Sequence, residues 1–387
     1  MRKAMLSGVL LGLIATCAAA AEKPKLAAIG PAMQKFVDSG ELAGAVTLVG
    51  NREGVLDIQA VGFQRLDPQT PMKTDAIFRI ASMTKPITAI GIMILADEKK
   101  LSPDDPLEKH LPEFRGRKVR GADGKLVDPK RPVLLRDLLT HTSGTPGFPK
   151  ELGDLYGKRD KTLAEAIPLL AKLPLDFEPG SKWSYCNSGV DTLGRVIEVV
   201  SGQRYEQFLQ QRVFDPLGMK DTAFYPNAEQ TKRLAGVYDR KDGKLVEARG
   251  FLGLSADAKY PIPAGGLCST AADLARLYRM MLNRGELDGH RILSAESVRT
   301  MTALQTGDLT CGFVNGMGFG YGWAVVRKPM GVTAMLSPGT FGHGGAFGTQ
   351  GWIDPHKNLF VVLMIQRVGL PNGDNSEMRR VLQEIAF

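Results

Sequence analysis

The chain is short of the residues that staple small exported domains or build metal centres. It holds four cysteines in 387 residues, none of them in a Cys-x-x-Cys pair, which excludes zinc sites of that spacing. Its five histidines (His110, His141, His290, His343 and His356) are scattered singly, so no metal cluster is expected. There is no His-Glu-x-x-His, no Walker loop and no Gly-x-Gly-x-x-Gly, and no Gly-x-Ser-x-Gly elbow for a nucleophile on an α/β-hydrolase sheet. Beyond its first residues the chain has no apolar run of the roughly 20 residues that a membrane span needs.

Those first residues have an order of their own. Arg2 and Lys3 precede an apolar run from Ala4 to about Ile14, then small residues at Ala18 to Ala21, then polar Glu22-Lys23-Pro24. This is the order of a secretory signal peptide over residues 1–21, cleaved after Ala20 or Ala21, and it predicts an exported protein, periplasmic or secreted. Thr16 beside Cys17 is bulkier than a lipoprotein site usually carries, which argues against lipidation there. Cys186, Cys268 and Cys311 then remain, an odd set that is no disulfide framework; a Cys268–Cys311 bridge stays open.

The net charge is +8, and the basic excess gathers in Arg115, Arg117, Lys118, Arg120, Lys125, Lys130 and Arg131. Glycines and prolines break that stretch into exposed loop, and few aromatics interleave for base stacking. It reads as a solvated surface rather than a nucleic-acid site.

Strand signals stand at both ends of the mature chain. Gly44 to Val49 and Val55 to Val61 are apolar, β-branched runs separated by a turn, which predicts a hairpin. Tyr321 to Arg327, Val332 to Leu336, Gly348 to Ile353 and Asn358 to Ile365 read as strands near the C-terminus. Between them lie helical patterns at Ser82–Lys99, Leu163–Lys172, Ser188–Ser201, Tyr205–Phe214 and Ala271–Leu282, and further helices open and close the mature chain. The expectation is an α+β fold. An antiparallel sheet is built from both termini and flanked by helices, with a mostly helical lobe inserted. Residues 22–387 then form one catalytic domain, with an α/β lobe of about 22–90 and 290–387 and a helical lobe of about 91–289.

Ser82-Met83-Thr84-Lys85 opens the first long helix. Residues three apart are neighbours on a helix, so a hydroxyl and an ammonium share one face. A serine becomes a nucleophile when a base takes its proton, and a lysine one turn away can do this or make another residue do it. The pattern is weak alone, since a chain this long shows about one by chance. Two other stretches give it weight. Tyr185-Cys186-Asn187 stands just before a helix. An ammonium beside Tyr185 would lower its phenol pKa from near 10, letting it draw the Ser82 proton and return it to a leaving group. Asn187 offers an amide to hold Lys85 and a substrate carbonyl. The similar Tyr225-Pro226-Asn227 reads as a turn with no helix after it. In His343-Gly344-Gly345-Ala346, glycines let a substrate approach closely, and the amides of Ala346 and Ser82 form a candidate oxyanion hole.

With these motifs in place, the chain resembles the serine β-lactamase and penicillin-binding superfamily over nearly its whole mature length. The likeness is to the branch holding class C β-lactamases, D-Ala-D-Ala carboxypeptidases and β-lactamase-like (family VIII) esterases. It extends to Leu135–Gly144, Asp215–Met219 and Gly265–Thr270. It implies an acyl-enzyme on Ser82, with Lys85 and Tyr185 as the base system and no cofactor. The implied partner is a small ester, β-lactam or short peptide. One departure bears on the substrate: His343-Gly344-Gly345 stands where class C enzymes usually carry Lys-Thr-Gly. A histidine is mostly neutral at pH 7, so carboxylate anchoring is weakened and esterase chemistry is favoured over β-lactam hydrolysis.

Overall fold

The computed structural model describes residues 25–248 and 257–387; the signal-peptide segment, with Cys17, lies outside the described residues. Helix α1 (Ile29–Asp38) leads into strands β1 (Gly44–Gly50), β2 (Val55–Leu66) and β3 (Gln69–Pro71). Helix α2 (Thr84–Asp97), helix α3 (Asn187–Ser201) and helix α4 (Ala271–Leu282) follow. Strands β4 (Met317–Phe319), β5 (Ala324–Val326), β6 (Phe341–Gly344), β7 (Gln350–Asp354) and β8 (Leu359–Met364) precede the closing helix α5 (Glu377–Ala386). The eight strands form one antiparallel sheet in the order β4-β5-β6-β7-β8-β1-β2-β3.

The sheet closes where the two ends of the chain meet. β1 pairs with β8, Val46 opposite Met364 and Leu48 opposite Val362. Successive side chains of a strand point to opposite faces, and here both faces are apolar. Ala45, Val49, Val361 and Leu363 pack with Ile29 and Met33 of α1 and Met378 and Leu382 of α5. Val46, Leu48, Phe360 and Val362 belong to the other core, with Ile87 and Ile90 of α2 and Leu274 and Leu277 of α4. A strand covered on both sides reads as an unbroken apolar run, as β1 does.

Helix α2 is buried on every side from Thr84 to Leu95, the mark of a helix inside the protein rather than on it. Gly91 admits α3: a Cβ there would stand 2.7 Å from Ile197 Cδ1. The chain entering α2 is pinned by Gly265–Ser269. Phe78 and Arg79 pair with Ser269 and Cys268, and the Ile80 amide donates to Leu267 O at 3.0 Å.

Several expectations are corrected. Val332–Leu336 is no strand but a 3-10 turn at Gly331–Thr333, where Thr333 Oγ1 bonds both the amide and the carbonyl of Met330. That local side-chain bond competes with a sheet ladder. The strand expected at Tyr321–Arg327 begins only at Ala324, because Gly322 turns with φ of 75° against Ala89. Phe341–Gly344, which carries His343 and Gly344 of the glycine-rich stretch, is a strand of the sheet. A helix does open after Tyr225-Pro226-Asn227, at Ala228–Lys232, where Asn227 and Gln230 cap each other reciprocally; this is the capping-box pattern in its Asn-x-x-Gln form. The basic stretch holds a small hairpin, Val119–Arg120 with Leu126–Val127, in which Lys118 pairs with Asp128. Cys186, Cys268 and Cys311 are all buried free thiols, so Cys268 and Cys311 are not bridged.

Gly266 gives this part of the account a test. A Cβ there would stand 1.8 Å from Pro261 O, a backbone atom that cannot turn aside. Gly266→Ala is expected to lower unfolding stability by about 1–3 kcal/mol in urea melts. A melt matching wild type would show that the segment is not so tightly held.

Candidate functional site

Ser82 sits in a 3-10 turn, Ala81–Met83, at the head of α2. Ala81 holds a left-handed backbone with φ of 44°, which costs an alanine about 1–2 kcal/mol. Strain of this kind collects where surrounding structure enforces it, commonly at functional sites. Lys85 is 1% exposed. Its Nζ lies 3.0 Å from Ser82 Oγ, donates to Ala264 O at 2.6 Å, and stands 4.7 Å from the centre of the Tyr185 ring. Burial drives the Lys85 pKa from 10.5 down to about 7, against the opposing pull of Asp191 and Cys186. A buried ammonium gives up its hydration and so releases its proton more easily.

The carbonyl that holds Lys85 is itself held. Asp191, fully buried on α3 one turn after Asn187, accepts from the Ala264 amide at 2.8 Å and from the Tyr260 hydroxyl at 2.8 Å. Burial raises the Asp191 pKa to about 6, while these bonds and Lys85 pull it down. The segment carries its own strain, because Ile262 has φ of 58° and accepts the amides of Gly265 and Gly266. A β-branched residue in that region is a genuine outlier. Sequence reasoning missed both Asp191 and Ala264. The available signal was the spacing Asn187-x-x-x-Asp191, which puts both on one helix face.

Tyr185 comes from a loop hydrogen-bonded to residues 141–147. Ser184 N donates to His141 O at 2.9 Å, Asn187 N to Gly147 O at 2.9 Å, and Cys186 N to His141 Nδ1 at 3.1 Å. The last bond makes Nδ1 an acceptor, so the His141 proton is on Nε2. Burial first, then Lys85 and His343, hold His141 neutral. Its ring lies 4.6 Å from that of Tyr185. His141 therefore fixes this loop.

The expected lowering of the Tyr185 pKa is corrected. Burial pushes it well above 10; its bond with Ser82 pulls the other way without prevailing. Lys85 approaches the ring face, and itself loses much of its charge near pH 7. Asn187 does not hold Lys85: its Oδ1 is buried without a hydrogen-bond partner, and the Ala264 carbonyl takes that place. Tyr225 lies elsewhere, its ring 5.4 Å from the Arg159 guanidinium.

The turn after β6 packs on the approach to Ser82. A Cβ on Gly345 would stand 2.4 Å from Ile80 O, and Thr349 Oγ1 donates to the same oxygen at 3.3 Å. Only glycine fits that contact. A Cβ on Gly344 would likewise meet Asp374 Oδ1 at 2.2 Å. Ala346 is exposed at the tip. Among the described residues, neither its amide nor that of Ser82 donates to a backbone carbonyl. His343 is buried on β6, its pKa pushed down to about 3 by burial and by Lys85. Among the described residues no group of three His, Cys, Asp or Glu side chains is placed to hold a metal ion. No described helix is long and apolar enough to cross a membrane.

The Lys85 environment is directly testable. By NMR of side-chain amines, Lys85 is expected to titrate near 7, and lower still in Asp191→Asn, which removes a charge that raises it. A midpoint near the ordinary 10.5 would contradict the burial argument.

Comparison with known proteins shows the family. Residues 30–386 match the family described as Beta-lactamase. Protein Rv1367c of Mycobacterium tuberculosis is 35% identical over 355 residues, covering 86% of this chain and 88% of that protein. Esterase EstB of Burkholderia gladioli is 32% identical over 350 residues, covering 84% and 86%. Among solved structures, EstCE1, a hydrolase with promiscuous acyltransferase activity, superposes with a TM-score of 0.80 at 26% identity, covering 96% of this chain and 99% of that one. With the match running from α1 to α5, the chain belongs to the β-lactamase family of hydrolases, which includes esterases and carboxypeptidases.

Proposed function

We propose that this chain is an exported serine hydrolase that cleaves esters or amides through an acyl-Ser82 intermediate, with esters as its main substrates. The observation that carries the proposal is the 3.0 Å approach of Lys85 Nζ to Ser82 Oγ in a setting that brings the lysine pKa to about 7. At neutral pH a large fraction of Lys85 is then an amine with a free lone pair. It takes the Ser82 proton as Oγ attacks the substrate carbonyl. The Ser82 and Ala346 amides supply donors for the oxyanion.

Tyr185 rests protonated, because burial holds its pKa well above 10. Its role is therefore that of an acid and relay: it gives its proton to the leaving group and recovers one from the Lys85 ammonium. Water then attacks the acyl-enzyme, with the same groups running in reverse. The N-terminal segment 1–21 is the export signal in this reading, and residues 22–387 the mature hydrolase.

A second reading, a β-lactamase or D-Ala-D-Ala carboxypeptidase, uses the same acyl step. Both substrate classes carry a carboxylate. His343 offers it no charge, since its pKa of about 3 leaves the ring neutral. That observation favours the ester reading, as does the likeness to a protein named an esterase.

Ser82→Ala is expected to lose about 1,000-fold or more of p-nitrophenyl ester hydrolysis. Tyr185→Phe should lose about 100-fold on an alkyl ester, whose alkoxide needs a proton to leave, while Tyr225→Phe stays near the wild-type rate. Full activity in Ser82→Ala would refute the nucleophile; loss in Tyr225→Phe alone would show the wrong tyrosine was chosen.

A further inference from the structure

The His343 ring carries a hydrogen-bonding group whose sense is fixed. Its Nδ1 lies 2.7 Å from the Gly344 carbonyl oxygen. A carbonyl oxygen only accepts, so Nδ1 carries the proton and Nε2 carries a lone pair. That Nε2 is buried and has no hydrogen-bond partner. A buried acceptor without a protein partner carries a desolvation cost, which a ligand that brings a donor relieves.

The surroundings say what kind of ligand group fits. The ring centre lies 6.1 Å from that of Tyr185 and 6.4 Å from that of Phe319. Phe313, 47% exposed, stands edge-on to Tyr185 at 4.9 Å. A cavity of about 20 Å³, mostly apolar in its lining, includes His343, Phe313, Phe319, Trp352, Asp374 and Arg379 among its walls. That is room for one group the size of a water molecule. Asp374 and Arg379 lie 3.9 Å apart and offset each other's charge.

We propose that His343 selects, for acyl transfer at Ser82, ester or amide substrates with a small O–H or N–H donor near the scissile carbonyl, and discriminates against those with a carboxylate there. This rests on the acyl-transfer reading above and narrows its substrate class. A donor pairs with Nε2. A carboxylate oxygen would meet it lone pair to lone pair, with no proton between them. A site that hydrogen-bonds a substrate hydroxyl rejects the analogue lacking it, because the buried partner is then left unpaired.

The test is a kcat/KM panel on substrates that differ only in a methyl, hydroxyl or carboxylate group. On the acyl side these are the p-nitrophenyl esters of propanoate, glycolate and malonate. On the alcohol side they are the propyl, hydroxyethyl and carboxyethyl esters of acetate. On at least one side, the hydroxyl-to-methyl ratio in wild type should exceed that in His343→Phe by about tenfold or more. The carboxylate ester should be poorer than the hydroxyl ester. Comparing ratios between the two proteins cancels intrinsic ester reactivity and the folded fraction of each preparation. His343→Gln keeps an acceptor oxygen and should retain part of the preference, which gives a second variant if the phenylalanine form does not fold. Equal ratios in wild type and in the variants on both sides would overturn the proposal alone, as would a wild-type preference for the carboxylate esters. Turnover of none of the esters would overturn the acyl-transfer reading, and this proposal with it.

Discussion

The interaction on which the rest of the site depends is the burial of the Lys85 amine. It is held by one carbonyl, one hydroxyl and one ring face: Ala264 O, Ser82 Oγ and Tyr185. An ammonium so placed has lost most of its hydration without gaining a carboxylate in direct contact. Asp191 acts from a step further away, through Ala264. A contacting carboxylate would have kept the lysine charged. The intermediate arrangement leaves it near the point where it can both take and give a proton at neutral pH.

Much of the architecture serves to keep that amine where it is. Helix α2 is buried on every side, so Lys85 cannot turn toward water. Gly91 lets α3 lie close, and α3 brings Asp191 to the 260–266 segment. The strained backbones at Ala81 and Ile262 lie on the two chains that meet at Lys85. The sheet contributes from the end of β6, where Gly345 fits against Ile80 and sets the Ala346 turn near Ser82. Residues far apart in sequence are thus brought together by the pairing of β1 with β8 and the packing of both on α2.

What could be read from the sequence was what local periodicity and spacing encode. The hairpin at Gly44–Leu66, the helix behind Ser82 and the strand at Leu359–Met364 show in their apolar pattern, and Ser82 with Lys85 shows in its helical spacing. The Gly331–Thr333 turn did not show, because a Thr333 side-chain bond overrode a β-branched run. Asp191 and Ala264 did not show, because their roles exist only once α3 and the 260–266 segment touch. The Tyr185 pKa was misjudged for a related reason. A neighbouring cation is visible in sequence, but the burial that outweighs it is not. His343 showed as a neutral residue, and the sense of its hydrogen bond became readable only with the Gly344 carbonyl in place.

The central claim is that Ser82 is acylated and then released. Its most direct test is time-resolved mass spectrometry of the protein after a pulse of p-nitrophenyl acetate, with the labelled peptide mapped. The account predicts an acetyl group on Ser82 that forms, then decays as product is released. An acetyl group on another residue, or turnover without any adduct, would contradict it; an acetyl-Ser82 that persists without turnover would make the chain an acylated binder rather than a hydrolase.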